Sequence, residues 1–305
     1  MSVDTRVNLG GLQLKNPILT ASGTFGYGLE FAQFGHLKEL GGIVVKGLSL
    51  KPRQGNPCPR IVETPCGMLN AIGLQNIGIE NFLKYKLPYL PFQETAIVVN
   101  LYAQSEEEFA ALASLLKKEE GIAALEVNIS CPNVKQGGIQ FGQNPVLAAK
   151  VIEGVKKNAG TKPVIVKLSP NVTDIKEIAK AVIDAGADIL SLINTLGGMA
   201  VDIWTRKPAL KNVFGGLSGP AIKPIALKMV YEVCSNFNVP VIGIGGISCI
   251  EDVLEFMLVG AGAVQVGSAN FKRPSLSFEL VHQLPEIMRK LGISGFQEWI
   301  GRLKT

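Results

Sequence analysis

Eight short apolar runs, rich in β-branched residues, recur along the chain, and most are followed by an amphipathic stretch. They are Ile18–Ala21, Ile43–Lys46, Ala96–Leu101, Ala124–Ile129, Val164–Leu168, Ile189–Ile193, Val241–Gly243 and Ala263–Val266. Runs that are apolar at nearly every position suit parallel strands covered on both faces. The intervening stretches carry helix punctuation. Ser105–Lys118 opens with a cap and three glutamates, and Asn144–Lys157 has Pro145 in its first turn. Pro220 plays a similar part for the segment ending near Cys234. Thr173–Ala185 and Ser248–Leu258 each start with a hydroxyl residue ahead of acidic ones and run to a glycine, Gly186 or Gly260, suited to a left-handed cap. Eight alternating units predict an α/β fold, a closed (β/α)8 barrel of the TIM type, with an open doubly wound sheet as the alternative.

Composition narrows the function classes. The chain has 305 residues, 47% hydrophobic and 18% charged, with a net charge of +5. Its lysines and arginines are dispersed, which argues against nucleic acid as a partner. No apolar stretch reaches the ~18 residues of a membrane span, and the first residues lack a signal-peptide plan. Five scattered cysteines without a CxxC, and only two histidines, give neither a disulfide framework nor a metal motif. A reduced, cytoplasmic protein with one domain over 1–305 is the expectation.

Three segments depart from the alternation. Residues 5–15 read as a hairpin about Gly10–Gly11 that could close the barrel floor. Leu48–Glu80 and Leu196–Gly219, after strands 2 and 6, are far longer than ordinary strand-to-helix connections, and a shorter insertion follows strand 4 at 130–142. All leave the C-terminal ends of strands, where barrels of this type keep their chemistry.

The strand tips collect a distinctive chemistry. Successive tips bring Ser22, Lys46 with Gly47, Asn100, Asn128 with Cys131 and Asn133, Lys167, Ile193 with Asn194 and Thr195, Gly245–Gly246, and Gly267–Ser268. There are amides and lysines but no carboxylate, which suits a flat, anionic, amide-rich ligand. Glycines after strands 7 and 8 let backbone N–H groups approach a phosphate. Lys46 and Lys167 end apolar strands, where a buried ammonium requires a negative partner, and a bound anion is the simplest one. Cys131, among polar neighbours, can serve as a general base if a nearby cation lowers its pKa. Cys234 and Cys249 read as small buried hydrophobes.

The segments ASGTFGYG, GNPCPRIVETPCGMLNAIGLQN, NISCPNVKQGG, VKLSPN, INTLGG, GGLSGPAIKP, GIGG and VGSANF together resemble the flavin-dependent dihydroorotate dehydrogenases of pyrimidine synthesis. The cysteine of SCPN and the missing membrane helix make the chain similar to class 1, and within it to the 1B catalytic subunit. The resemblance implies oxidation of dihydroorotate to orotate on one bound FMN. It places the phosphate on Gly245, Gly246, Gly267 and Ser268. Ser22, Lys46, Gly47, Asn100, Asn128, Ile193 and Gly219 would line the flavin, with Lys167 near its N1/O2 edge. It further implies that Lys46, the turn Asn70–Ala71–Ile72–Gly73–Leu74, Asn128, Asn133, Asn194 and Thr195 hold orotate. Cys131 would take the C5 proton as hydride leaves C6 for flavin N5. A homodimer is implied, joined into a heterotetramer by a partner subunit carrying FAD and a [2Fe-2S] cluster that passes electrons to NAD. The class 1A homodimer, which uses fumarate, is the alternative. A non-redox phosphate-binding lyase or isomerase barrel is a more distant one. Cys66 stands where the family pattern has a smaller residue, and is read as an inert, buried substitute.

Overall fold

The computed structural model describes residues 3–130 and 141–304. Eight strands form a closed parallel barrel: β1 Ile18–Thr20, β2 Gly42–Val44, β3 Ala96–Leu101, β4 Ala124–Asn128, β5 Val164–Lys167, β6 Ile189–Leu192, β7 Val241–Ile244 and β8 Ala263–Val266. Each pairs with its sequence neighbours and β8 closes on β1 through Val264–Ile18, Gln265–Leu19 and Val266–Thr20. The eight apolar runs therefore become the eight barrel strands, with ends shifted by one or two residues. The closed barrel, not the open sheet, is the architecture.

Strand alternation sorts the interior into layers. One buried cluster contains Leu19, Val44, Val98, Ala124, Ile165, Ile189, Ile242 and Ala263 together with Leu9, Leu12 and Leu14. The last three belong to the hairpin Val7–Leu9/Leu12–Leu14, so it does plug the barrel floor. Two residues further along the strands the interior turns polar, with Asn100, Glu126, Lys167, Ser191 and Gln265 all buried. On β1 and β2 that same step already reaches the mouth, at Ala21 and Lys46, and on β4 a second step reaches it at Asn128. One apolar floor and one polar layer thus lie beneath a lined opening.

The helices start largely as their caps dictate. Ser105 Oγ accepts from Glu108 N ahead of Glu106–Leu116, and Asn144 Oδ1 accepts from Val146 N and Leu147 N ahead of Pro145–Asn158. The cap of Ile175–Asp184 is Asp174 rather than Thr173, because the carboxylate accepts from Lys176 N at 2.9 Å. Pro220 lies in a short 3-10 turn preceding the helix Lys223–Asn236. Gly186 and Gly260 follow their helices with φ of +99° and +118°.

The two long insertions do not stand apart. Ile61–Thr64 and Gly67–Asn70 from the first join Phe214–Ser218 and Leu196–Met199 from the second in one four-stranded antiparallel sheet. Asn70 pairs with Gly216 and Leu69 with Leu217, and Leu69, Ala71 and Leu210 form a small core beneath. Among the described residues no helix is long and apolar enough to cross a membrane.

Candidate active site

A cavity of about 270 Å³ opens at the C-terminal ends of the barrel strands, bounded on one side by the insertion sheet. From the strand tips it is lined by Ser22, Lys46, Gly47, Asn100, Asn128, Lys167, Ile193, Asn194 and Thr195. Gly219, Gly245, Gly246, Gly267 and Ser268 form a second wall, and Asn70, Ile72, Gly73 and Leu74 reach it from the insertion. Of the described residues expected here, only Ala71 is absent. It is fully buried against Leu69 and Leu210 on the far side of the turn, its N–H donating to Arg60 O. Cys131 and Asn133 lie outside the described residues.

The amides are held by one another. Ser130 Oγ donates to Asn128 Oδ1 at 2.9 Å, and Asn194 Nδ2 donates to Ser130 Oγ at 2.6 Å. Asn194 Oδ1 accepts from Thr195 N, while Asn171 Nδ2 donates to Thr195 O. Ser130 and Asn171 were not anticipated; Ser130 holds the side chains of Asn128 and Asn194, and Asn171 holds the backbone of Thr195 and Gly197. Lys46 closes the opposite rim. A Cβ on Gly23 would make only an ordinary 3.6 Å contact with Lys46 Nζ, so its φ of +92°, rather than space, calls for glycine there.

The cation at the floor is balanced differently from the sequence expectation. Lys167 Nζ lies 3.8 Å from Glu126 Oε2, a carboxylate with no exposed surface. A bound anion is thus not needed to neutralise Lys167. Glu126 was missed because it lies inside a strand rather than at its tip. A single acidic residue in the otherwise apolar run ALEV, two positions before Asn128 and so on the same inward face, was the available signal. Asn100 Nδ2 donates to Glu126 Oε2 at 2.6 Å, and Asn100 Oδ1 is buried with no partner among the described residues.

The glycine wall has the character of an oxyanion cradle. Among the described residues, the N–H groups of Gly246, Gly267 and Ser268 donate to no acceptor of the chain. Gly246 has φ +74°, and an added Cβ would meet Lys223 Cβ at 2.8 Å and Gly219 O at 2.9 Å. Lys223 is itself fixed, its Nζ donating to Asp252 Oδ1 at 2.6 Å, while Asp252 Oδ2 accepts from Ser248 N, Ser248 Oγ and Cys249 N. Burial opposes the Asp252 charge, yet the bonds from Lys223 and Ser248 win and hold its pKa below the usual carboxylate range. Cys249 is accordingly a half-buried residue at a helix cap, its thiol pushed up to about 11 mainly by burial. Burial alone pushes the Cys234 thiol up to about 12, consistent with an inert core residue. Cys66 is exposed in the turn between two sheet strands and does not line the cavity, so the expectation of a buried substitute is corrected.

Comparison with known proteins decides the lineage. A sequence profile of dihydroorotate dehydrogenase matches residues 5–288. The chain belongs to the dihydroorotate dehydrogenase family. It is 65% identical over 305 residues, the whole of both chains, to the dihydroorotate dehydrogenase B (NAD(+)) catalytic subunit of Solidesulfovibrio magneticus. The like-named subunit of Maridesulfovibrio salexigens is 61% identical over 99% of each chain. Among solved structures, dihydroorotate dehydrogenase of Eimeria tenella in complex with ferulenol superposes with a TM-score of 0.80 at 22% identity. That match covers 98% of this chain and 88% of the other, and it shows the shared fold.

Proposed function

We infer that the protein is the catalytic subunit of a class 1B dihydroorotate dehydrogenase, oxidising (S)-dihydroorotate to orotate in pyrimidine biosynthesis. The observation that carries this reading is the convergence of Lys46, Lys167, Asn100, Asn128 and Asn194 on one cavity flanked by a glycine cradle. The residues present fit FMN on two counts. The unpaired N–H groups of Gly246, Gly267 and Ser268 suit a phosphate, and the orphaned Asn100 Oδ1 suits a ring N–H. Bound FMN supplies the hydride acceptor.

The chain's own residues do the rest. Lys167 at the cavity floor, held by Glu126, would offer the reduced flavin a fixed hydrogen-bond donor, so no reorganisation would accompany the transfer. The Asn128–Ser130–Asn194 network presents rigid amide donors and acceptors to the pyrimidine ring, and Lys46 faces its carboxylate. Cys131 takes the C5 proton while the C6 hydride leaves, so two electrons and two protons are accounted for. The names of the relatives support a partner subunit. We assign it FAD and a [2Fe-2S] cluster carrying electrons to NAD, in the cytoplasm. The insertions expose Ile61, Met199, Val201, Ile203, Trp204 and Phe214, an apolar set that suits burial against a second copy.

The test is spectroscopic. The purified chain should be yellow with flavin bands, and anaerobic dihydroorotate should bleach it. Cys131→Ala should slow bleaching by about 10²–10⁴-fold, the usual worth of a positioned base. A colourless protein would remove the flavin reading, and wild-type bleaching by the variant would remove the base. NAD reduction only after addition of an iron–sulfur flavoprotein supports class 1B; fumarate turnover by the isolated chain would assign class 1A.

A further inference from the structure

Glu126 takes part in none of the steps above, yet four barrel strands point side chains at it. Asn100 Nδ2 of β3 donates to Oε2 at 2.6 Å, with Lys167 Nζ of β5 3.8 Å from the same oxygen. Ser191 Oγ of β6 and Gln265 Nε2 of β8 donate to Oε1 at 2.9 and 2.6 Å. Barrel interiors are ordinarily filled by Val, Ile and Leu, and a buried carboxylate with its donors often packs no better than apolar residues would. Packing therefore gives no reason for this charge, and its consequences at the cavity floor must be sought instead.

Two consequences follow from the geometry. The first concerns charge. The ammonium of Lys167 stands at the cavity floor with the carboxylate behind it, so the pair adds no net charge to the site. The second concerns direction. A carboxamide can present either end, but the NH2 of Asn100 is engaged by Glu126, which leaves the buried Oδ1 beside Gly47 on the cavity wall. An ionised carboxylate only accepts, so it selects that orientation.

We propose that Glu126 is a positioning residue that fixes Asn100 with its carbonyl toward the cavity, anchors Lys167, and sets the reduction equilibrium of the flavin by cancelling the lysine's field. The proposal rests on the FMN reading of this site. Reduction adds negative charge to the ring, so a carboxylate beneath Lys167 opposes reduction and its loss favours it.

The experiment is the two-electron midpoint potential of the full-length chain holding its FMN, measured by dye-coupled titration alongside the absorption spectrum. Glu126→Gln keeps the size and removes the charge. It also places a donor among three other donors. It should shift the reduction equilibrium toward the reduced form by tenfold or more, about 30 mV for a two-electron couple. Glu126→Asp keeps the charge and should remain within twofold of wild type. A yellow Glu126→Gln protein with the wild-type potential would overturn the proposal while leaving the flavin reading intact. A colourless wild-type chain would instead overturn the flavin reading. Should Glu126→Gln fail to fold with an uncompensated buried ammonium, Glu126→Gln combined with Lys167→Met, which buries no charge, is read instead. Cancelling charges predict a reduction equilibrium within twofold of wild type for that double variant, and a tenfold shift would refute the proposal.

Discussion

Gly267→Ala separates ligand recognition from folding in a way few substitutions in this cavity can. Gly267 has no positive φ, and a Cβ built on it finds only Ala21 Cβ, at an ordinary 3.7 Å. The fold therefore accepts alanine, and the reduced freedom of the unfolded chain stabilises by about 0.4–1 kcal/mol. The same methyl stands in the cavity beside an N–H that has no acceptor among the described residues. Displacing a charged phosphate from one N–H costs about 1.5–3 kcal/mol, which is about 10–150-fold in Kd. Gly246→Ala is the contrast. Its φ of +74° and contacts of 2.8 and 2.9 Å charge the fold itself. Left-handed strain of about 1–2 kcal/mol plus overpacking of about 1–3 should lower the melting temperature by several degrees. The assay is quenching of flavin fluorescence on titrating the apoprotein, with riboflavin, which lacks the phosphate, as the control. Gly267→Ala should weaken FMN at least tenfold, leave riboflavin within about threefold, and melt no lower than wild type. FMN binding within twofold of wild type, or equal losses for both ligands, would refute the cradle.

The other expectations concern support and surface. Asp252→Asn removes the charge and turns one of the two oxygens that accept from Lys223, Ser248 and Cys249 into a donor, and should cost about 2–4 kcal/mol, read as a lower melting temperature. Because the folded pKa of Asp252 is lowered, its stabilisation is complete above the unfolded value near 3.9 and is lost as pH falls through the folded value below it. The melting gap between wild type and Asp252→Asn should hold from pH 7 to 5 and narrow below about pH 4; a gap that widens in acid would contradict the assignment. Trp204, 88% exposed, touches solvent rather than core, so Trp204→Glu should leave stability within about 0.5 kcal/mol. It should nevertheless shift sedimentation toward the monomer, and an unchanged sedimentation coefficient would exclude that face as the subunit contact.

Much of the site was legible because it sits at strand ends. Apolar runs such as AIVVNL and VIVKL announce buried strands, and the polar residue that interrupts or ends each run lines the cavity at or just beneath the barrel mouth. Asn100, Asn128, Lys167 and Asn194 were found that way. The glycines of GIGG and VGSANF were legible for a related reason, since loops after strands 7 and 8 of such barrels need close backbone approach. Ala71 was carried over with the block NAIGL, and only the placement of its side chain departs from that block. In an extended turn alternate side chains face opposite ways, so Ile72 and Leu74 reach the cavity while Ala71 enters the small core beneath the sheet. Cys66 was misplaced because its burial depends on sheet pairing that lies far away in sequence.

Local pattern alone thus determined that eight strands alternate with helices and, to within a residue or two, where they begin, because periodicity and hydrogen-bond chemistry act over a few residues. Three features needed the closed barrel. These are the carboxylate behind Lys167, the joining of residues 61–70 and 196–218 into one sheet, and the pairing of Ser130 with Asn194. Each depends on contacts between segments at least 40 residues apart. Such contacts form when ring closure brings separate strands to a common axis, and no stretch of the sequence encodes that meeting by itself.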